Sequence, residues 1–144
     1  MAKPFESDRG TSSRPRSAVF LDVRTSWRLD GSARVLEQLA PRVVRGDIEL
    51  LAVADWVAVG PEMARLFASH GARLIAGAPD PSSGSRRGVS LAVIAGLWLA
   101  SCDAGAVLEI ITDGADDHTF DAVGYAAARR GAVFRRLSLR EIRG

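Results

Sequence analysis

Carboxylates gather where two apolar runs of this chain stop. Ala18-Val-Phe-Leu21 ends at Asp22, and Val107-Leu-Glu-Ile-Ile-Thr112 ends at Asp113, with Asp116 and Asp117 close behind. Short apolar runs bounded by polar residues read as central strands of a parallel sheet, buried on both faces. Ligands of open α/β sheets bind beyond the carboxyl ends of such strands, so acids placed there are candidates for holding a metal or a polar substrate. Turn and cap chemistry is the competing use. Asp113 stands beside Gly114 as a turn residue would, and Asp116 or Asp117 could cap the helix that follows, where a carboxylate accepts backbone N–H groups. Asp22 is not followed by a convincing helix start, which favours a site role. Asp55 closes a further apolar run and is either an outer member of the same cleft or a turn residue. His118 could serve as a general acid or orient a phosphate, or simply be solvated in a first helical turn. His70, just before Gly71 at a helix end, reads as structural.

The elements needed to position these acids alternate along the chain. From Ser32 to Val44, apolar Val35, Leu36, Leu39, Val43 and Val44 recur at helical spacing behind the turn and cap residues Asp30, Gly31 and Ser32. Ile48 to Ala54 reads as a strand ending at Asp55-Trp56, and Pro61 and Gly71 bracket a helix whose inward stripe is Met63, Leu66 and Phe67. Ala72 to Ala76 is a third strand. Gly77 to Gly88 is an irregular break closed by Arg86 and Arg87, of a length that is often functional or mobile. Val89 to Ser101 is predicted to be a helix with Leu91, Ile94, Ala95, Trp98 and Leu99 on a wide apolar face, wide enough to meet a second copy or another protein. After the strand at Val107 to Thr112, the apolar residues Phe120, Val123, Ala126 and Ala127 mark a last helix. Gly131 ends it, and Ala132-Val-Phe134 starts a fifth strand. Connections too long for hairpins imply βαβ units, hence a three-layer α/β/α domain with a mainly parallel five-stranded sheet.

At 144 residues and 47% hydrophobic content the chain suits one domain with a single core. Residues 1–16 are polar, rich in Pro, Ser and Gly, and aperiodic, which predicts a flexible tail ahead of a domain over 17–144. A formal charge of +2 makes the whole chain no polyelectrolyte binder, so any nucleic-acid signal must be local. Lys3 is the sole lysine among 19 basic residues, and arginine forks suit phosphate. Arg86 and Arg87 are the basic pair closest to the expected cleft; Arg129, Arg130, Arg135, Arg136, Arg140 and Arg143 form a second group. Trp27, in a polar loop after the first strand, is placed to stack on a base. A lone Cys102, no apolar leader in the first residues and no run of the roughly 18 to 20 apolar residues that a spanning helix needs together predict a cytoplasmic protein without membrane contact.

With the acidic strand ends placed, the chain resembles the NYN domain family, a branch of the PIN-like nuclease superfamily. Val19-Phe-Leu-Asp22 is similar to that family's opening strand with its first catalytic acid, and Leu51 to Trp56 to its second strand ending in Asp-Trp. Arg87-Gly-Val-Ser-Leu-Ala-Val93 resembles the segment where a basic residue precedes an acid at a helix start. Thr112 to Phe120 resembles the Ser-Gly-Asp loop. The match covers most of residues 17–140. It departs from the family pattern at Ser90, Gly96 and Thr119, where acids are expected, and at Val23-Arg-Thr-Ser26, where a polar residue such as Asn usually follows the first Asp.

The resemblance implies a PIN-like fold and a carboxylate site for Mg²⁺ or Mn²⁺ formed by Asp22, Asp113, Asp116 and Asp117, with Asp22, Asp113 and Asp117 catalytic. It also implies an endoribonuclease, weak at best here, that acts on single-stranded RNA. The missing acids imply the alternative: a catalytically inactive relative serving as an RNA-binding or protein-interaction module. A receiver-like domain phosphorylated at Asp22 ranks behind both, because it would need a nearby lysine.

Overall fold

A computed structural model describes residues 16–77, 89–113 and 118–143. Five strands form one sheet: β1 (Ser17–Asp22), β2 (Glu49–Ala54), β3 (Arg73–Ala76), β4 (Val107–Thr112) and β5 (Val133–Ser138). Among the described residues, six helices connect or follow them: α1 (Leu29–Val44), α2 (Trp56–Val59), α3 (Pro61–Ser69), α4 (Val89–Ala100), α5 (Asp121–Arg129) and α6 (Leu139–Arg143). A 3₁₀ turn, His118–Phe120, leads into α5. The strand order is β3-β2-β1-β4-β5 and every pairing is parallel, so the expected α/β/α architecture is present and the sheet is wholly parallel.

Alternation along the strands divides the core in two. Ala18 and Phe20 of β1, Leu51 and Val53 of β2, and Leu108 and Ile110 of β4 face α4 and α5, where Phe20 meets Trp98 edge-on at 6.1 Å. Val19, Leu21, Leu50, Ala52 and Ile111 face the opposite way, onto Val35, Leu36 and Leu39 of α1, Met63 and Phe67 of α3, and Leu139 of α6. Since successive strand side chains point to opposite faces, covering both sides with helices requires the near-continuous apolar runs seen in β1, β2 and β4.

Strand order places the site. From β1 the chain moves outward through β2 to β3, then crosses to β4 and moves outward the other way to β5. The register pairs Leu21 with Ile111 and Asp22 with Val53. The carboxyl ends of β1 and β4 are thus neighbours at the point where the order reverses, the position at which such sheets leave a crevice.

Some boundaries differ from those expected. Helix α1 begins a turn earlier than the Asp30-Gly31-Ser32 cap predicts: the Arg28 carbonyl accepts from the Ser32 N–H at 2.9 Å, and Asp30 lies within the first turn. The two elements not anticipated, α2 and α6, are both short. Strand β5 runs on through Arg135 and Arg136 because it is an edge strand, where charge is tolerated and discourages pairing with another chain. Beyond Gly77, the irregular break lies outside the described residues. Among those residues, no helix is long and apolar enough to cross a membrane.

Two glycines behave oppositely. Gly71 has φ +85°, and a Cβ there would meet Val43 Cγ1 at 3.1 Å, whereas a Cβ on Gly96 in the middle of α4 would meet nothing within 4 Å. Gly71→Ala is therefore expected to cost about 1–3 kcal/mol through backbone strain. Gly96→Ala should add about 0.4–1 kcal/mol by reducing the freedom of the unfolded chain. Urea unfolding midpoints of the two variants should move in opposite directions.

Candidate functional site at the carboxyl ends of β1 and β4

The loop after β1 is fastened at several points. The Val23 N–H donates to the Val53 carbonyl at 3.1 Å, carrying the ladder one residue past Asp22, and the Trp27 N–H closes a turn on the Arg24 carbonyl at 3.0 Å. Trp27 is buried, its ring 6.2 Å from that of Phe67. It anchors the loop into the α1/α3 side of the core rather than presenting a stacking face to solvent.

Between these anchors Arg24 turns back over the strand end. Arg24 and Asp22 are each only 7% exposed. The guanidinium donates to Asp22 Oδ2 through Nε at 3.0 Å and Nη2 at 2.7 Å, and the same oxygen accepts the Thr112 hydroxyl at 3.0 Å. Asp113 completes the group: its Oδ1 lies 3.7 Å from Arg24 Nε, while its Oδ2 accepts from the Ser26 hydroxyl at 3.0 Å. The result is a guanidinium flanked by carboxylates from β1 and from the end of β4, tied down by two hydroxyls.

Burial raises the pKa of Asp22 and is the largest influence on it. Attraction and hydrogen bonding from Arg24, with the Thr112 hydroxyl, pull the other way, and the neighbouring Asp113 charge adds to the rise. Desolvation thus outweighs the partner even with the guanidinium at 2.7 Å, as is common for buried ion pairs.

A divalent cation of the Mg²⁺ or Mn²⁺ type needs several oxygen ligands at roughly 2.0–2.6 Å. The cation present between Asp22 and Asp113 is Arg24. Among the described residues, no three His, Cys, Asp or Glu side chains come together to hold an ion. These donors do not fit a divalent metal. Asp116, Asp117, Arg86 and Arg87 lie outside the described residues.

The remaining candidates are dispersed. Ser90 stands in the first turn of α4 near the carboxyl end of β2, its Cβ 3.5 Å from where a Gly77 Cβ would be, so a hydroxyl takes the place of the acid that the resemblance implies. Asp55 caps α2 by accepting from the Ala58 N–H at 3.4 Å, a turn role. His118 is exposed and pairs with Asp121 at 3.0 Å, and His70 bonds to the Leu66 carbonyl at 3.0 Å.

Sequence reasoning passed over Arg24 and Thr112. The signal for Arg24 was available: Asp-Val-Arg in extended chain puts the first and third side chains on one face, where opposite charges pair. Glu109 was also passed over, a buried acid in mid-strand whose Oε1 accepts from Arg42 Nη2 of α1 at 2.7 Å. It faces α1 instead of the cleft. No protein family, curated protein or solved structure matches this chain.

A mutant cycle tests the cost of the buried pair. Asp22→Ala should lose about 3–5 kcal/mol, because it removes the closest partner of a buried guanidinium. Asp22→Leu combined with Arg24→Met should be neutral or stabilising by about 1–4 kcal/mol. The pH dependence follows from the raised pKa of Asp22. The folded state holds this proton more tightly than the unfolded chain does, so the contribution is complete below the ordinary carboxylate range and lost as pH rises through the raised value. Wild type should therefore lose stability relative to the apolar double variant over that rise, read as a difference in urea midpoints.

Proposed function

We propose that the chain is a NYN/PIN-like domain that keeps the nuclease scaffold without its metal chemistry: a catalytically inactive relative that binds single-stranded RNA. The observation that carries this reading is Arg24, bonded to Asp22 where the family would hold a cation. The hydroxyl of Ser90 in place of an acid agrees with it.

Support for RNA as the ligand comes from the kind and placement of charge. Exposed Arg28 stands at the residue just before α1, and exposed Arg140 lies in the first turn of α6. Both helices begin at the carboxyl edge of the sheet, beside the crevice, where arginines can reach a phosphate backbone. The outer face of α4, with Val93 58% and Leu97 55% exposed, is the surface to which a protein partner or a second copy would bind.

Fluorescence anisotropy with a single-stranded RNA should show binding that is unchanged by EDTA and by Asp22→Asn, with the RNA intact after incubation with Mn²⁺. Arg28→Ala and Arg140→Ala should each weaken binding across sequences and lower the salt slope by about 0.7. Mn²⁺-dependent cleavage that vanishes in Asp22→Asn would instead establish the active endoribonuclease. Absence of RNA binding would leave the protein-interaction role.

A further inference from the structure

We infer that Arg24 is a tethered counter-ion standing in the position of a divalent cation, and that Asp22, Thr112 and Asp113 form a cation pocket which its side chain keeps closed to free ions. The inference deepens the reading above and rests on its placing of the NYN-type metal at these strand ends. Three observations carry it.

The first is position. The guanidinium joins carboxylates that belong to different strands, Asp22 of β1 and Asp113 beyond β4, at the reversal of strand order. The resemblance implies a metal held by acids of the same two elements.

The second is the crowding of one ligand oxygen. Asp22 Oδ2 accepts from Arg24 Nε, Arg24 Nη2 and the Thr112 hydroxyl together. A carboxylate oxygen has only two lone pairs to share among such partners. An ion could use this oxygen only by displacing donors that are already seated.

The third is competition. Arg24 is two residues from Asp22, and the loop between the anchors at Val23 and Trp27 holds it in place, so its effective concentration at the carboxylate far exceeds that of a free ion. Its planar fork also suits a carboxylate better than an ammonium would. With Arg24 and Asp22 both buried, the cation is held away from bulk water. The pocket is shaped for a guanidinium, and the chain supplies it.

Chemical rescue of the full-length protein, followed by thermal unfolding, tests this. The melting temperature of wild type should be the same in EDTA, in millimolar Mn²⁺ and in millimolar methylguanidinium. Arg24→Ala should fall by roughly 10 °C, as expected for a broken buried pair in a domain of this size. Methylguanidinium should return several degrees to Arg24→Ala, and that gain should disappear when Asp22→Asn is added. Stabilisation of wild type by Mn²⁺ would overturn the inference, and so would an Arg24→Ala protein that methylguanidinium does not stabilise.

Should Arg24→Ala fail to fold, its refolding yield with and without methylguanidinium gives the same two outcomes. Arg24→Lys is a second check. It retains the charge without the fork, so it should melt between wild type and Arg24→Ala and ignore methylguanidinium; a response equal to that of Arg24→Ala would count against a closed pocket. RNA binding and cleavage are scored separately on wild type, so a failed rescue and a failed RNA-binding reading are told apart.

Discussion

A positive charge buried between two negative ones organises the carboxyl end of this sheet. Asp22 ends the central strand, Asp113 follows its neighbour, and Arg24 links them while its own loop is fastened by Val23 and Trp27. Charges are costly to bury, and the raised pKa of Asp22 shows that cost persisting in the folded state even with the partner in contact. What the pair confers is definition: Arg24 bonds to Asp22 and lies against Asp113, while Thr112 and Ser26 hold the two carboxylates, so the loop crosses the strand ends in one bonded arrangement.

The sheet can carry this arrangement because the rest of its interior is apolar on both faces. Phe20, Ile110 and Leu108 press against α4 and α5, while Leu21, Val19 and Ile111 press against α1 and its neighbours. The exceptions are paired. Glu109, buried within β4, reaches Arg42 on α1, and Arg16, just ahead of β1, bonds to both Glu49 oxygens at 2.8 and 2.9 Å while lying over the Trp98 ring. Such contacts tie helix to sheet and one strand to the next with a directionality that apolar packing lacks. These pairs stand away from the cleft, so the ion pair at the carboxyl ends is one of several polar contacts that belong to the scaffold's own bonding.

Much of the fold was legible in the chain because hydrophobic periodicity is a local property. The runs at β1, β2 and β4 required burial on both faces, and Pro61 with Gly71 bracketed α3 through fixed backbone preferences. Short elements escaped. Helix α2 is one turn held by the Asp55 cap, and α6 follows an edge strand whose arginines interrupt the apolar pattern. Trp27 looked like a surface ring because its neighbours are polar, yet Phe67, forty residues away, takes it into the core.

By itself, then, the sequence determined the parallel α/β/α class, the order of its elements and the presence of carboxylates at strand ends, since those follow from local spacing and from the rule that parallel strands need helical crossovers. Only the tertiary structure decided what the carboxylates meet. Whether Asp22 faces water, an ion or a guanidinium depends on the separation of β1 and β4 ends, on a loop anchored by Val53 and Phe67, and on Thr112 standing ninety residues on. Contacts between residues so far apart in the chain leave no periodic trace in it.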